Sequence, residues 1–364
     1  MKLVVLGLSL SSAWGNGHAT TYRALLAAFA ARGNDVLFLE RDVPWYASNR
    51  DLTDPDYCCL AFYDSVAELE ALWAREIAEA DAVIVGSYVR DGVAVGALVQ
   101  SNARGVVAFY DIDTPVTLAA LELDECEYLS AALIPGYDLY LSFSGGPTLD
   151  RLESGFGSPA ARALYCSVDP DSYPPLDVPK RWDLSYLGTY SVDRQPGLER
   201  LLLSVARACP ARRFVVAGPQ YPDGIDWPAN VERIAHLPPA DHAAFYAASR
   251  FTLNLTRADM VRAGWSPSVR LFEAAACGTP IISDRWKGIE SLFGPGREIL
   301  LAESGDDVVR ALGRNAQALG RAARARVLAA HTASHRSAEL EHHLVDAAHR
   351  LRLHRADRRA ERAR

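Results

Sequence analysis

Short apolar runs, each followed by a loop and then by a stretch with helical spacing, recur along the whole chain. In the first half they predict strands at residues 3–8, 36–40, 82–86, 106–110, 139–143 and 163–166, with amphipathic helices such as 20–31 and 147–153 between them. Runs that are apolar without alternation belong in a sheet covered on both faces, so the pattern predicts a mainly parallel α/β sheet. In such sheets ligands sit beyond the carboxyl ends of the strands, which makes the loops after strands the places to look for chemistry.

Residues 168–183, VDPDSYPPLDVPKRWD, break the rhythm with prolines and acids and read as a linker. A second series then begins. It predicts strands at 184–187, 214–217, 231–234, 251–255 and 279–283, helices at 197–208 and 239–247, and a further helix opening near Ser266. Helices at 306–319, 321–330 and 333–353 close the chain. With 364 residues there is material for two cores. The expected division is a first domain over 1–167, a linker over 168–183, a second domain over 184–332, and a terminal helix with a basic tail over 333–364.

Hydrophobic residues make up 49% and charged residues 23% of the chain, ordinary proportions for a globular protein. Cys58, Cys59, Cys126, Cys166, Cys209 and Cys277 form no C-x-x-C pair, which speaks against structural zinc and for a reducing compartment, the cytoplasm by default. The opening MKLVVLGLSL places a lysine before an apolar run, as a secretory leader does. It is short and leads directly into a glycine loop and a helix, so a buried first strand is expected. No stretch is long enough to span a bilayer. Net charge is −7, yet the chain ends in RLRLHRADRRAERAR. That end reads either as a solvated helix terminus or as a peripheral contact with an anionic surface. His342, His343 and His349 lack acidic or cysteine partners at metal spacing and are expected on the surface.

Four stretches carry candidate chemistry. In SPSVRLFEAAACGTPIISDRWKGIE (266–290), Ser266 can cap a helix and Pro267 suits its first turn. Arg270 and Glu273 are the charges on an otherwise core-like helix, costly unless partnered or used. The loop SLSSAWGNGHAT (9–20) brings Gly15, Asn16, Gly17 and His18 to a helix start without forming a dinucleotide fingerprint. In DIDTP, Asp111 and Asp113 lie on one side of an extended segment, either aimed into a cleft or shaping a turn. The fourth stretch, SFSGG, sets Ser144 and Gly145 before a helix.

RLFEAAACGTPIIS resembles the nucleotide-sugar signature of two-domain, GT-B-type glycosyltransferases. The resemblance implies two Rossmann-like domains facing across a cleft, with the donor diphosphate at the helix start around Ser266, Ser268, Val269 and Arg270, and Glu273 gripping the ribose. Backbone N–H groups at such a start present positive charge to a diphosphate without a metal. LGTYSVDR is similar to the entry of a GT-B donor domain, which makes Gly188, Thr189 and Arg194 phosphate-loop candidates and Arg257 a second cation. AGPQYP and AHLPP fall where the nucleobase is usually held, implicating Gly218 and Leu237.

On the acceptor side the resemblance implies Gly15, Asn16, Gly17, Ser144 and Gly145 as contacts and His18, Asp111 or Asp113 as the base. The step back from Glu273 at which retaining members carry a second acid falls on Trp265. Over roughly residues 1 to 335, from GNGH through LYCSVDP to ISDRW, the chain resembles bacterial CgeB-like (spore-maturation type) glycosyltransferases. The implied activity is glycosyl transfer from a nucleoside-diphosphate sugar to an undefined small molecule, glycan or protein, without cofactor, metal or nucleic-acid partner. A nucleotide-sugar epimerase or a non-catalytic assembly protein on the same fold are the alternatives.

Overall fold

The computed structural model describes residues 1–14 and 17–362, with side chains as far as residue 356 at the carboxyl end. The chain forms two compact units, Met1–Cys166 with Ala333–Arg364, and Ser167–Thr332.

The first unit holds seven parallel strands: β1 (Lys2–Gly7), β2 (Asp35–Arg41), β3 (Cys59–Tyr63), β4 (Ala82–Gly86), β5 (Val106–Asp111), β6 (Leu139–Ser142) and β7 (Ala161–Ala163). Their order is β3-β2-β1-β4-β5-β6-β7. Successive residues point to opposite faces, so Val4, Leu6, Val83 and Val85 enter one core while Leu3, Val5, Ala82 and Ile84 enter the other. This double burial is why the strands read as unbroken apolar runs. The last helix, Ala333–Arg362, seats Leu340, Leu344 and Ala347 in the second of these cores and packs on the first helix, His18–Ala30.

The second unit repeats the plan with β8 (Trp182–Leu187), β9 (Phe214–Ala217), β10 (Val231–Ile234), β11 (Ser249–Asn254), β12 (Ile281–Ser283) and β13 (Leu300–Leu301). The order β10-β9-β8-β11-β12-β13 is again parallel throughout. Each sheet reverses its winding once, at β1/β4 and at β8/β11, and such switch points open crevices at the strands' carboxyl ends.

Differences from the sequence pattern have local causes. The edge strand β3 escapes the apolar reading because most of it is only half-buried. The run expected as a strand at 163–166 pairs earlier, as β7. The helix expected over 306–319 ends at Leu312, where Gly313 follows, and resumes as Gln317–Ala330. The proline-rich segment 168–183 is grouped with the second unit, because its aromatic residues are core: Tyr173 is buried and Trp182 packs on Phe245 with ring centroids 5.3 Å apart.

The loop after β1 is held by a buried carboxylate at the end of β2. Glu40 Oε2 accepts from the N–H groups of Leu10 at 2.7 Å and Ser11 at 2.8 Å, and Oε1 from the Ser11 hydroxyl at 2.7 Å. Charge-assisted bonds of this kind leave buried donors orphaned when the acceptor is deleted. Glu40→Ala is therefore expected to lose on the order of 2–4 kcal/mol of stability. Urea denaturation checks this, and a loss below about 1 kcal/mol would show that the loop supports itself.

Candidate active site

The second unit gathers positive charge at the carboxyl ends of its strands. Gly188, directly after β8, is packed so closely that a Cβ there would lie 3.2 Å from Nη1 of Arg270 and 2.7 Å from the Tyr186 hydroxyl. Gly218, after β9, has φ +138, and a Cβ on it would meet the Gly188 carbonyl oxygen at 2.1 Å. Only glycine lets these two loops touch. Arg194 reaches back into its own loop, donating from Nη2 to the Thr189 carbonyl at 2.8 Å. Burial pushes its pKa down, the neighbouring Tyr186 opposes this, and the Arg270 charge reinforces it. Asp193 counters in part, but its Oδ2 already accepts from the Ala258 N–H at 3.0 Å and pairs with Arg257 at 3.7 Å.

The Nε atoms of Arg194, Arg257 and Arg270 are all buried, and none has a hydrogen-bond partner among the described residues. Buried donors are normally satisfied, so Arg194 and Arg270 have hydrogen-bonding capacity left over, while Arg257 Nε faces the Asp193 carboxylate at 3.7 Å. Arg233 adds a fourth guanidinium, which lies over the rings of Tyr221 and Trp227 at 4.2 and 4.6 Å and donates to the Gly218 carbonyl at 3.0 Å.

The helix bearing Glu273 spans Val269–Ala276, and its N-cap is Ser268. This corrects the expected cap: Ser266 is fully buried and its hydroxyl donates to the Gly264 carbonyl at 2.8 Å. The Ser266 hydroxyl is committed to that carbonyl and does not cap the helix. Ser268 makes no side-chain capping bond, so the first N–H groups of this helix receive no cap from its side chain.

Glu273 itself is buried, and no arginine pairs with it among the described residues. Oε1 accepts from the Tyr173 hydroxyl at 2.9 Å and Oε2 from the Tyr246 hydroxyl at 3.2 Å. His242 stands 4.0 Å from Oε2 and 3.2 Å from the Tyr173 hydroxyl, and its other ring nitrogen lies 3.3 Å from the Leu237 carbonyl oxygen. The tyrosines and His242 carried no signal in the sequence, since single aromatic residues far apart in the chain do not announce a shared partner.

In the first unit the two aspartates part company. Asp111 is fully buried, with Oδ2 accepting from Tyr140 at 2.6 Å and Oδ1 from Thr117 at 2.8 Å and from the Asp113 N–H at 3.1 Å. Burial raises its pKa to about 6 against those bonds. It shapes the turn, which corrects its reading as a cleft-facing base. Asp113 is half-exposed, begins the helix Thr114–Glu122 and makes no side-chain capping bond.

Asp113 also opposes the main effect on His18, whose pKa burial pushes down. His18 therefore stays neutral near pH 7. Its ring meets Tyr88 edge-on at 5.3 Å, and its Nδ1 is buried with no hydrogen-bond partner among the described residues. Gly17 is exposed at the N-cap of this helix. Gly15 and Asn16 lie outside the described residues. Ser144 and Gly145 are buried: the Ser144 N–H donates to the Ser142 hydroxyl at 3.0 Å, and a Cβ on Gly145 would lie 2.1 Å from the Tyr165 hydroxyl. Both residues take part in building their loop.

Beside the His18 and Tyr88 pair, at the β1/β4 switch point, a cavity of about 600 Å³ opens. Trp45, Tyr46, Tyr88 and Tyr128 line it with aromatic surface. Tyr88 and Asp91 hold left-handed φ values of 63° and 54°, strain that recurs at functional sites. The sequence reading passed over this loop and the PWY turn after β2, because neither contains a glycine motif. That both follow strands was the available signal.

Residues 194–342 match the family model described as "Glycosyl transferase-like", which covers less than half of the chain. No curated protein matches it in sequence. Among solved structures, the sucrose-phosphate synthase of Thermosynechococcus elongatus superposes with a TM-score of 0.66 at 15% identity, covering 94% of this chain and 98% of that one. Anabaena Alr3699/HepE in complex with UDP-glucose gives 0.68 at 12% identity, covering 95% and 100%. An alpha-glucosyltransferase in complex with UDP and a 13-mer DNA gives 0.67 at 12% identity, covering 94% and 99%. At these identities the likeness establishes the fold, α/β with two parallel sheets, as in GT-B glycosyltransferase structures. The family match, together with these neighbours, supports glycosyltransferase activity.

The raised pKa of Asp111 fixes a sign. Its folded value of about 6 exceeds the ordinary 3.8, so the folded state binds the proton more tightly and stability falls as pH rises through that window. Urea denaturation of the wild type and Asp111→Asn at the two ends of the window should show the variant gaining relative to the wild type as pH rises. A pH-independent difference would refute the assignment.

Proposed function

We propose that this protein transfers a glycosyl group from a nucleoside-diphosphate sugar, held by the second unit, to a hydroxyl acceptor held by the first, without a metal ion. The single observation that carries the reading is the pair of buried Nε atoms of Arg194 and Arg270, without a hydrogen-bond partner among the described residues, beside an Arg257 that is held by Asp193 at 3.7 Å. A diphosphate supplies the acceptor oxygens they lack. Its charge also relieves the mutual repulsion of Arg194 and Arg270.

In the reaction, an acceptor oxygen forms a bond to the anomeric carbon as the bond from that carbon to the phosphate oxygen breaks. The electron pair leaves with the nucleoside diphosphate. Charge grows on the departing phosphate, where fixed guanidinium groups and the amino end of the Val269–Ala276 helix stabilise it more than they stabilise the bound donor. The acceptor proton passes to a base, and His18, neutral and beside Asp113, is the group suited to take it in an inverting course.

Glu273 is assigned to the ribose hydroxyls, and nucleotide entry then requires the Tyr173 hydroxyl to yield Oε1. Backbone groups near Leu237 and His242 are assigned to the nucleobase. UDP and UDP-glucose, named for the structural neighbours, are the first ligands to test. Kinship with the CgeB-like glycosyltransferases is part of this proposal, and so is a cytoplasmic location; no helix among the described residues is long and apolar enough to cross a membrane.

Calorimetry with UDP tests the donor site. Glu273→Ala should weaken binding by ~1.5–3 kcal/mol, the worth of a charged hydrogen bond. Arg270→Ala should weaken UDP binding while leaving uridine binding nearly unchanged. Unaltered UDP affinity in either folded variant would remove that residue from the site. Chelator should leave sugar transfer intact, whereas activity lost to chelator and restored by manganese would overturn the metal-free course, and conversion of the donor without any acceptor would favour an epimerase.

A further inference from the structure

The cavity at the β1/β4 switch point has a wall chemistry that selects its ligand. About 600 Å³ falls within the range of small-molecule sites, roughly 300–1,000 Å³. Its charges balance: Arg41 and Arg90 supply two cations, Asp91 and Glu127 two carboxylates. Nη1 of Arg41 is buried and faces Asp91 Oδ2 at 3.4 Å, an ion pair without hydrogen-bond geometry.

An anionic ligand meets Asp91 and Glu127, and a cationic one meets Arg41 and Arg90. Neither net charge suits the site. A wholly apolar ligand would strip water from all four charged groups and return nothing to them. A neutral ligand that carries many hydroxyls and has an apolar face meets both signs of charge and the aromatic walls together. A hydroxyl both donates and accepts, so it can bond a guanidinium and a carboxylate alike. Trp45, on the short helix Pro44–Ala47, is 45% exposed, an unusual placement for the largest aromatic side chain unless something stacks on it.

We infer that this cavity is a saccharide site, in which a neutral sugar ring stacks on Trp45 while its hydroxyls bridge Arg41, Asp91 and Glu127. The inference rests on the proposed glycosyl transfer and names its acceptor as a glycan. Tyr88, common to the cavity wall and the edge-on contact with His18, places that ring next to the candidate base.

The test is binding of the full chain to an array of neutral mono- to tetrasaccharides, with uronic-acid, amino-sugar and phenolic probes beside them, with and without UDP. Neutral saccharides should bind. Trp45→Ala and Glu127→Gln should each weaken that binding about tenfold, as truncation of an aromatic anchor or loss of a charged acceptor does. Both positions are exposed enough for the variants to fold, which circular dichroism checks, and UDP affinity by calorimetry should be unchanged in both. Retention of saccharide by Trp45→Ala, preference for charged or phenolic probes, or no saccharide bound by a protein that binds UDP would each overturn the inference. Loss of UDP binding in the wild type would instead strike the donor assignment and leave this result to be read separately.

Discussion

Guanidinium groups held near one another inside a protein repel, and the second unit keeps Arg194 and Arg270 in that state at the mouth of its sheet. The arrangement persists because the surrounding structure determines it from several sides. Gly188 and Gly218 bring two loops into contact where any side chain would clash. Asp193 pins the loop of Arg194 to the segment of Arg257 through the Ala258 N–H. The carboxyl of Asp284 accepts from the N–H of Thr256 at 3.0 Å and from its hydroxyl at 2.9 Å, fixing the turn that presents Arg257. Under the proposed function, an anion bound there recovers the stability given up to repulsion, and its affinity depends on the loop framework as much as on the arginines themselves.

The carboxylates at the strand ends illustrate a division of labour. Glu40 and Asp111 are buried and spend their oxygens on hydroxyls and backbone N–H groups of adjoining loops, so their charge goes into shape. Glu273 is equally buried, yet its partners are tyrosine hydroxyls, which a ligand hydroxyl can replace group for group. Asp113 instead shares a side-chain hydrogen bond with Tyr88 and lies near His18. What separates them is the backbone: Glu40 and Asp111 each accept from at least one loop N–H, and Glu273 takes side-chain hydroxyls.

The unbroken apolar runs pointed to the two parallel sheets, since strands covered on both faces carry mostly apolar side chains. The sequence also placed the positive loops after β8 and β11 correctly, because glycine and arginine at those points leave few other uses. It did not reveal β3, whose residues are largely half-buried and so escape the apolar criterion. Nor could it show that a proline-rich segment delivers Tyr173 to a helix one hundred residues away.

What the chain determined unaided is therefore periodic or local: strand and helix identity, the doubly wound plan, the helix of Glu273, the loops with glycine beside charge. Tertiary structure alone decided which of two aspartates a single residue apart is sealed inside, where the cap of the Val269–Ala276 helix lies, and that Trp45, Tyr88 and Tyr128 share one cavity. The physical reason is that burial and partnership are set by contacts between segments distant in sequence. Residue type limits those contacts but does not choose among them.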